Sequence, residues 1–340
     1  MSTLMQKNVL LSQYTTLKAG GPADHFATVA TVEELQKALQ FAKQMAVPFY
    51  VLGGGSNVLF PKEGYRGLVI LNRIKGVAYE SEGEVVELRA GAGENWDELV
   101  ASSVQKTYWG LENLSSIPGT VGATPIQNVG AYGVEVSQLI KEVRCIHTDT
   151  HVEKVFSNSD CQFGYRDSFF KSQVGREWIV VEVTFLLSNT AKPNLEYKDI
   201  LHVKNEKKLT PQKVREAVQS IRQNKFPDWT TVGTAGSFFK NPVVSEEKFL
   251  ELKKKYSELP GYETQTGEYK ISLGWILDKA LELKGYCRDD VCLYEKQALV
   301  LVSHGASTDA IKSFYTEIQK NVQEKTNICI EPEVQIIKNK

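Results

Sequence analysis

The glycines Gly53-Gly54-Gly55 run into Ser56 and Asn57 directly after the short apolar stretch Val47 to Leu52. Glycine lets backbone N–H groups converge on an anion, and the hydroxyl and amide add side-chain donors, which suits a diphosphate where no lysine clamp is present. A plain loop is the alternative for this segment taken alone. A second segment, Leu114 to Gly133, has no charged residue yet holds too many polar groups and prolines for a core helix. Its small residues would let the backbone approach a flat ring system, with Gln127 and Asn128 matching the ring's hydrogen-bonding edge. A buried irregular loop is the other reading.

Other residues carry charge or a proton. Arg166, in Gly164-Tyr165-Arg166-Asp167-Ser168 and flanked by Phe163 and Phe169-Phe170, would be partly desolvated and open to a carboxylate unless it pairs with Asp167. Ser237 follows Gly236 and precedes Phe238-Phe239 without matching the GxSxG nucleophile elbow, which leaves a capping or turn serine as its plainer reading. Glu331-Pro332-Glu333 lies between the apolar runs Ile328 to Ile330 and Val334 to Ile337, so one carboxylate could point inward if a partner such as Arg166 met it.

The elements that must position these groups belong to a folded, multi-domain chain. With 340 residues, 42% hydrophobic and 24% charged, two or three cores can form. The 40 basic and 41 acidic residues leave a formal charge of -1, so no global field is available for nucleic acid or an anionic membrane, and small molecules are the expected partners. Met1 to Leu11 carries neither a charged n-region nor an unbroken apolar core, and Trp178 to Leu187 falls short of the roughly 18 to 20 residues that span a bilayer. A cytoplasmic monomer is expected. The five cysteines (Cys145, Cys161, Cys287, Cys292, Cys329) include no CxxC pair, which fits a reducing compartment better than a disulfide framework, and no histidine stands at metal-ligand spacing.

Thr31-Val-Glu-Glu34 is a capping box for an amphipathic helix over 32–43, followed by a strand over 47–52. Pro61 and Gly64 argue against a helix after the glycine turn, and Val58 stands where a dinucleotide fingerprint needs its third glycine, so a Rossmann arrangement is excluded. Alternating runs at 68–71 and 85–90, a hairpin of 141–147 with 151–156 through Asp149-Thr150, and a strand over 178–187 predict a strand-rich middle, interrupted by a helix near 96–104. From Thr210 and Pro211 a helix begins, and helices over 246–256, 272–282 and 308–322 with a strand over 298–302 predict a separate α+β unit. The tail 328–337 is strand-like and is expected to return to the earlier sheet.

Taken in order, TTLKAGGPAD (15–24), VLGGGSNVLF (51–60), IPGTVGATPIQNVGAYG (117–133), FGYRDS (163–168), AGSFFKNP (235–242) and EPEV (331–334) resemble the bacterial UDP-N-acetylenolpyruvoylglucosamine reductases, from about Thr15 to Val334. The resemblance implies an α+β chain: an FAD-binding fold of the vanillyl-alcohol-oxidase type in two subdomains (1–71 and 72–210, the tail 327–340 returning to the second), followed by a substrate-binding domain over 211–326. It implies reduction of the enolpyruvyl ether of UDP-N-acetylglucosamine to UDP-N-acetylmuramate with NADPH and FAD, in peptidoglycan synthesis. The length and Leu195-Glu196-Tyr197 resemble the longer of the family's two types, in which a loop tyrosine closes over the substrate.

By that similarity Gly53, Gly54, Gly55, Ser56 and Asn57 would hold the FAD pyrophosphate. Ile117, Pro118, Gly119, Ala123, Gln127, Asn128, Gly130, Ala131 and Tyr132 would line the flavin. Arg166 matches the family's catalytic arginine, Ser237 its proton donor and Glu333 its catalytic acid residue, while Tyr197, Arg222, Lys225, Asn241 and Gln297 fall where it contacts the sugar nucleotide. No metal is implied. Hydride addition at C3 of the enolpyruvyl group would push charge through C2 into its carboxylate, where Arg166 and a protonated Glu333 could meet it and Ser237 could protonate C2. Gly54 stands where relatives often carry a larger residue, which suggests extra flexibility, and positions 123–124 vary among them. Rival readings are another flavin oxidase or dehydrogenase of the same fold, which would need a different substrate domain, and a non-catalytic sugar-nucleotide or flavin-binding protein, which would not need Arg166, Ser237 and Glu333 together.

Overall fold

The computed structural model describes residues 5–206, 208–264 and 266–339. The chain divides into two compact units, the first of Met1–Val9, Ala23–Gly54 and Arg66–Arg222, the second of Leu10–Pro22, Gly55–Tyr65 and Gln223–Lys340.

In the first unit Thr31 caps helix α1 (Val32–Gln44), its side-chain oxygen accepting from Glu34 N at 3.2 Å while Glu34 accepts from Ala30 N at 2.7 Å. Such a cap contributes about 1 kcal/mol. Leu35, Ala38, Leu39 and Ala42 turn inward and share a core with Ala27, Val29, Leu68 and Ile70. These belong to a four-stranded sheet ordered Met5–Leu10, Pro22–Val29, Tyr65–Asn72, Phe49–Leu52. The run 68–71 is buried throughout rather than alternating, because it lies inside the sheet with both faces covered. Its parallel neighbour starts at Phe49, since Pro48 has no N–H to give a ladder.

A second sheet of this unit is antiparallel throughout, ordered Glu153–Ser157, Ile140–His147, Trp178–Ser188, Val85–Gly91, Val77–Glu82. The expected hairpin forms, with Val143 opposite Phe156. Helix α2 (Trp96–Gln105), capped by Asn95, buries Trp96, Leu99, Val100 and Val104 with Leu88 and Phe185. Leu114, Val121, Val129 and Val134 join the same core. The uncharged segment is therefore pinned down by its few apolar residues, while its polar backbone follows short turns. Helix α3 (Pro211–Lys225) begins with proline at its first position, where no N–H is needed.

The second unit carries an antiparallel sheet ordered Gly233–Ser237, Gln297–Ser303, Val291–Tyr294, Cys287–Arg288. Helices α4 (Glu246–Lys255) and α6 (Thr308–Thr326) supply Phe249, Leu252, Ile311, Phe314 and Ile318 to a core that includes Phe238 and Phe239. The helix expected over 272–282 is instead a short α5 (Leu273–Trp275) continuing as a wider π-turn over Ile276–Ala280, with Leu281 N bonded back to Ile276 O. Two further expectations are corrected. Cys287 and Cys292 face each other across their hairpin and form a disulfide, leaving Cys145 and Cys161 as buried thiols and Cys329 exposed. The tail strand is only Gln335–Ile336, and it pairs in parallel with Val58–Leu59 rather than with the sheet of residues 72–210. The edge next to the glycine turn selects it: Asn57 O and Leu59 O accept Gln335 N and Ile337 N.

Candidate active site

The glycine turn leaves the strand Phe49–Leu52 with no room for side chains. In the first unit, a Cβ on Gly53 would lie 2.5 Å from Thr120 Oγ1. In the second unit, Gly55 has φ +64° and a Cβ there would lie 1.9 Å from the Tyr14 carbonyl oxygen, while Gly55 O accepts from Thr16 N at 3.0 Å. A backbone-only surface results, the form a closely held pyrophosphate requires. The segment facing Gly53 is equally fixed: Trp96 N donates to Gly119 O, and Val121 N and Gly122 N donate to Glu94 O and Ala92 O. Ile117, Pro118 and Gly119 are half-buried along it, and Ala123 is exposed. Arg73, which the sequence did not single out, reaches Gly53 O at 3.4 Å.

Arg166 occupies the tip of a tight turn closed by Gly164 and Asp167, whose N–H and C=O groups bond reciprocally. Its φ is +52°, a conformation unfavourable for a long side chain. The guanidinium donates to Asn128 O at 3.3 Å and Gly130 O at 2.7 Å and lies over the Tyr165 ring at 5.7 Å. These two carbonyls fix the direction of the guanidinium. Asn128, 1% exposed, commits its side chain inward: Nδ2 donates to Glu135 Oε2 and Gly164 O, and Oδ1 accepts from Ser137 N. Its amide thus braces the Arg166 turn, while Gln127, the other amide read as matching a ring edge, is half-buried. Ser116, Asn128, Tyr132 and Arg166 all have positive φ, strain of the kind that gathers at functional sites.

Gly130 and Ala131 pair with Val134–Glu135, delivering the buried Tyr132 to the turn between them. The Tyr132 ring meets the Tyr197 ring edge-on at 5.4 Å. Arg222, on α3, donates from Nε to Ser116 O at 3.0 Å and hydrogen-bonds the Tyr132 side chain. Beside it Arg215 grips Asp97 with two bonds of 2.6 and 2.9 Å, and Asp97 also accepts from Ser116 N. Burial alone would raise the Asp97 pKa, but the Arg215 and Ser116 hydrogen bonds and the charges of Arg215 and Arg222 outweigh it and hold the carboxyl below its ordinary range.

In the second unit Ser237 ends its strand beside a bulge, where Gly236 has φ +71°. The following residues run antiparallel to the EPEV segment: Phe239 bridges Pro332, Lys240 N donates to Glu331 O, and Glu333 N donates to Phe238 O at 2.8 Å. Ser237 and Glu333 are therefore brought to adjoining backbone positions, and Asn57 joins them by donating from Nδ2 to Glu333 O at 3.2 Å. Asn241 and Gln297 flank α5, with Asn241 Oδ1 accepting from Leu273 N and Gln297 Oε1 lying 3.1 Å from where a Cβ on Gly274 would stand. Half-buried Lys225 closes α3, and half-buried Ser56 follows Gly55. Among the described residues no helix is long and apolar enough to cross a membrane.

A family model described as an FAD binding domain matches residues 23–155, and another, described as the UDP-N-acetylenolpyruvoylglucosamine reductase C-terminal domain, matches 228–337. The UDP-N-acetylenolpyruvoylglucosamine reductase of Chromobacterium violaceum is 39% identical over 343 residues, covering 99% of this chain and 100% of that protein. The crystal structure of the reductase from Thermus caldophilus aligns with a TM-score of 0.69 at 26% identity, over 98% of this chain and 100% of that one. A solvent-stable cholesterol oxidase, 13% identical with a TM-score of 0.51 over 97% of this chain and 86% of its own, shares the fold alone. The fold is thus the expected α+β arrangement, an FAD-binding fold of the vanillyl-alcohol-oxidase type followed by a reductase C-terminal domain. The chain belongs to the UDP-N-acetylenolpyruvoylglucosamine reductase family.

Proposed function

We propose that this protein reduces the enolpyruvyl ether of UDP-N-acetylglucosamine to UDP-N-acetylmuramate, with FAD bound and NADPH as reductant, in the cytoplasmic synthesis of peptidoglycan precursors. The observation that carries the reading is 39% identity to a reductase of that name across 99% of the chain. An oxidase of the same fold is disfavoured because the match extends through the C-terminal domain at residues 228–337.

The residues present suit the cofactor. Gly53 to Asn57 would hold the pyrophosphate on backbone N–H groups, in a turn where a Cβ on Gly53 or Gly55 would meet Thr120 Oγ1 or Tyr14 O. The stretch from Ile117 to Tyr132 would line the flavin. When bound, FAD supplies transfer of a hydride equivalent from NADPH to C3 of the enolpyruvyl group. Charge then develops at C2 and its carboxylate, where the guanidinium of Arg166, aimed by Asn128 O and Gly130 O, neutralises it. Glu333, when protonated, donates a hydrogen bond to the same carboxylate. Ser237 protonates C2; a hydroxyl is a weak acid, but an enolate carbon is basic enough to take its proton. Arg222 and Lys225 offer cations to the diphosphate of the substrate, and Tyr197, Asn241 and Gln297 complete its binding.

The test is steady-state NADPH oxidation by the purified, FAD-loaded protein. Oxidation that depends on the enolpyruvyl sugar nucleotide and saturates with it supports the reading. A protein that binds no flavin, or that oxidises NADPH at the same rate without the sugar nucleotide, overturns it.

A further inference from the structure

Asn113 is fully buried in the short turn Glu112–Leu114 and has no place in the chemistry above. Its Nδ2 donates to two carbonyl oxygens far apart in sequence, Tyr132 O at 2.8 Å and Asn194 O at 2.9 Å. Asn194 repeats the gesture in the other direction, with Nδ2 donating to Gly133 O at 3.1 Å and Oδ1 accepting from Glu196 N at 3.4 Å. Two amides therefore stitch residues 194–196 to the Tyr132-Gly133 turn. Gly133 permits the close approach: its φ is +84°, and a Cβ there would lie 3.3 Å from Asn194 Oδ1 and 3.7 Å from Tyr197 Cβ.

Just beyond the stitch the chain changes character. Leu195 is buried among Trp109, Tyr132, Ile200 and Val203, whereas Tyr197 is 39% exposed and begins the 3-10 helix Lys198–Asn205. Asn194 is thus an anchored root, and Tyr197, more exposed, meets the Tyr132 ring edge-on. Asn113 makes both donations although its Oδ1 is buried with no hydrogen-bond partner. An apolar side chain of similar size would leave no such orphan, so the two N–H groups are what asparagine supplies here that leucine would not.

We infer that Asn113 is a positioning residue for the Tyr197 loop, its amide holding Asn194 against Tyr132 so that Tyr197 is offered to the sugar nucleotide from a fixed root. The inference rests on the function proposed above. Its experiment compares FAD-loaded wild type, Asn113→Leu, which keeps the volume and removes both donors, and Asn194→Ala, which leaves the Asn113 donations in place but removes the reciprocal one to Gly133 O, so that the same stitch is weakened at a half-exposed site if the buried variant fails to fold. Trypsin cleavage after Lys198 and Lys204 reports on the loop without any assumption about substrate. KM, kcat and the rate of flavin reduction by NADPH report on function.

The expected result for both variants is cleavage in the loop about tenfold faster, with KM for the enolpyruvyl sugar nucleotide raised by about the same factor, the scale of one lost hydrogen bond. Flavin reduction by NADPH stays within about twofold of wild type. Unchanged cleavage, faster cleavage with unchanged KM, or slower flavin reduction in step with a general loss of thermal stability would each overturn the inference, the last reducing Asn113 to a stability residue. If wild type itself fails to turn over the sugar nucleotide, the reading of function falls, while the cleavage comparison still decides whether Asn113 holds the loop.

Discussion

Gly55→Ala and Gly53→Ala should weaken FAD binding for different reasons and respond differently to a second change. At Gly55 the new Cβ would stand 1.9 Å from Tyr14 O and 2.9 Å from Thr15 Cα, both backbone atoms, and φ is +64°. An L-residue in that conformation costs roughly 1–2 kcal/mol and overpacking about 1–3 kcal/mol more. If the sum of about 2–5 kcal/mol falls on the bound state, the Kd for FAD rises roughly 30- to 4,000-fold. At Gly53 the Cβ would meet Thr120 Oγ1 at 2.5 Å, but the next atoms are at 3.8 and 3.9 Å, an ordinary contact distance. One hydroxyl is the whole obstacle, so Gly53→Ala should cost about tenfold in Kd, and Thr120→Ala should restore it to within about twofold of the Thr120→Ala single variant. No side-chain truncation can rescue Gly55→Ala. Titration of apoprotein with FAD, followed by flavin fluorescence, gives the constants for wild type and all four variants. Wild-type affinity in Gly55→Ala, or a Gly53→Ala defect that Thr120→Ala leaves untouched, would refute the reasoning.

Ser237→Ala should leave flavin reduction by NADPH near normal while slowing reoxidation by substrate roughly 10²-fold or more in stopped-flow; a defect in the first half-reaction would show that Ser237 is not the proton donor. Glu112, 1% exposed, is held neutral by burial, which pushes its pKa up from 4.5 to about 7 against the opposing hydrogen bonds of its own and the Gly110 backbone N–H. The stability it contributes is complete below pH 4.5 and is lost as pH rises through about 7, because the folded state must then ionise a buried acid. Glu112→Gln still accepts from Gly110 N and cannot ionise, so its Tm relative to wild type should climb between pH 5 and pH 8; a flat difference by scanning calorimetry would contradict this. Arg215→Met strands the Asp97 carboxylate. With that side chain 33% exposed, the loss should be about 1–3 kcal/mol at neutral pH, less than for a fully buried pair, and urea unfolding would measure it.

Local signals carried much of this fold. The capping box at Thr31, the proline at the start of α3 and the turn at Asp149-Thr150 act over a few residues, and each appears where short-range chemistry places it. The strands Met5–Leu10 and Pro22–Val29 were not legible, because polar residues such as Asn8, Asp24 and His25 interrupt any period-two pattern and long-range pairing supplies the order. The Cys287–Cys292 bond was hidden for a related reason, since only the hairpin register sets the two side by side. At the site, the roles expected of Arg166, Ser237 and Glu333 came from the family resemblance, since each residue in its own segment also had a plainer reading, and their supports were not legible at all. Asn128 bracing the Arg166 turn and Asn113 tying residue 132 to residue 194 depend on which carbonyls the fold brings within 3 Å, and asparagine in a loop announces none of that.

The central claim, that this chain passes electrons from NADPH through FAD to an enolpyruvyl sugar nucleotide, is tested most directly by one anaerobic measurement. The FAD-loaded protein is bleached with a single equivalent of NADPH, and UDP-N-acetylglucosamine enolpyruvate is then added in the absence of oxygen. Full return of the flavin absorbance, with stoichiometric appearance of a product two hydrogens heavier than the substrate, is the predicted result. A flavin that stays bleached until air is admitted would contradict the account and point to oxygen as the electron acceptor.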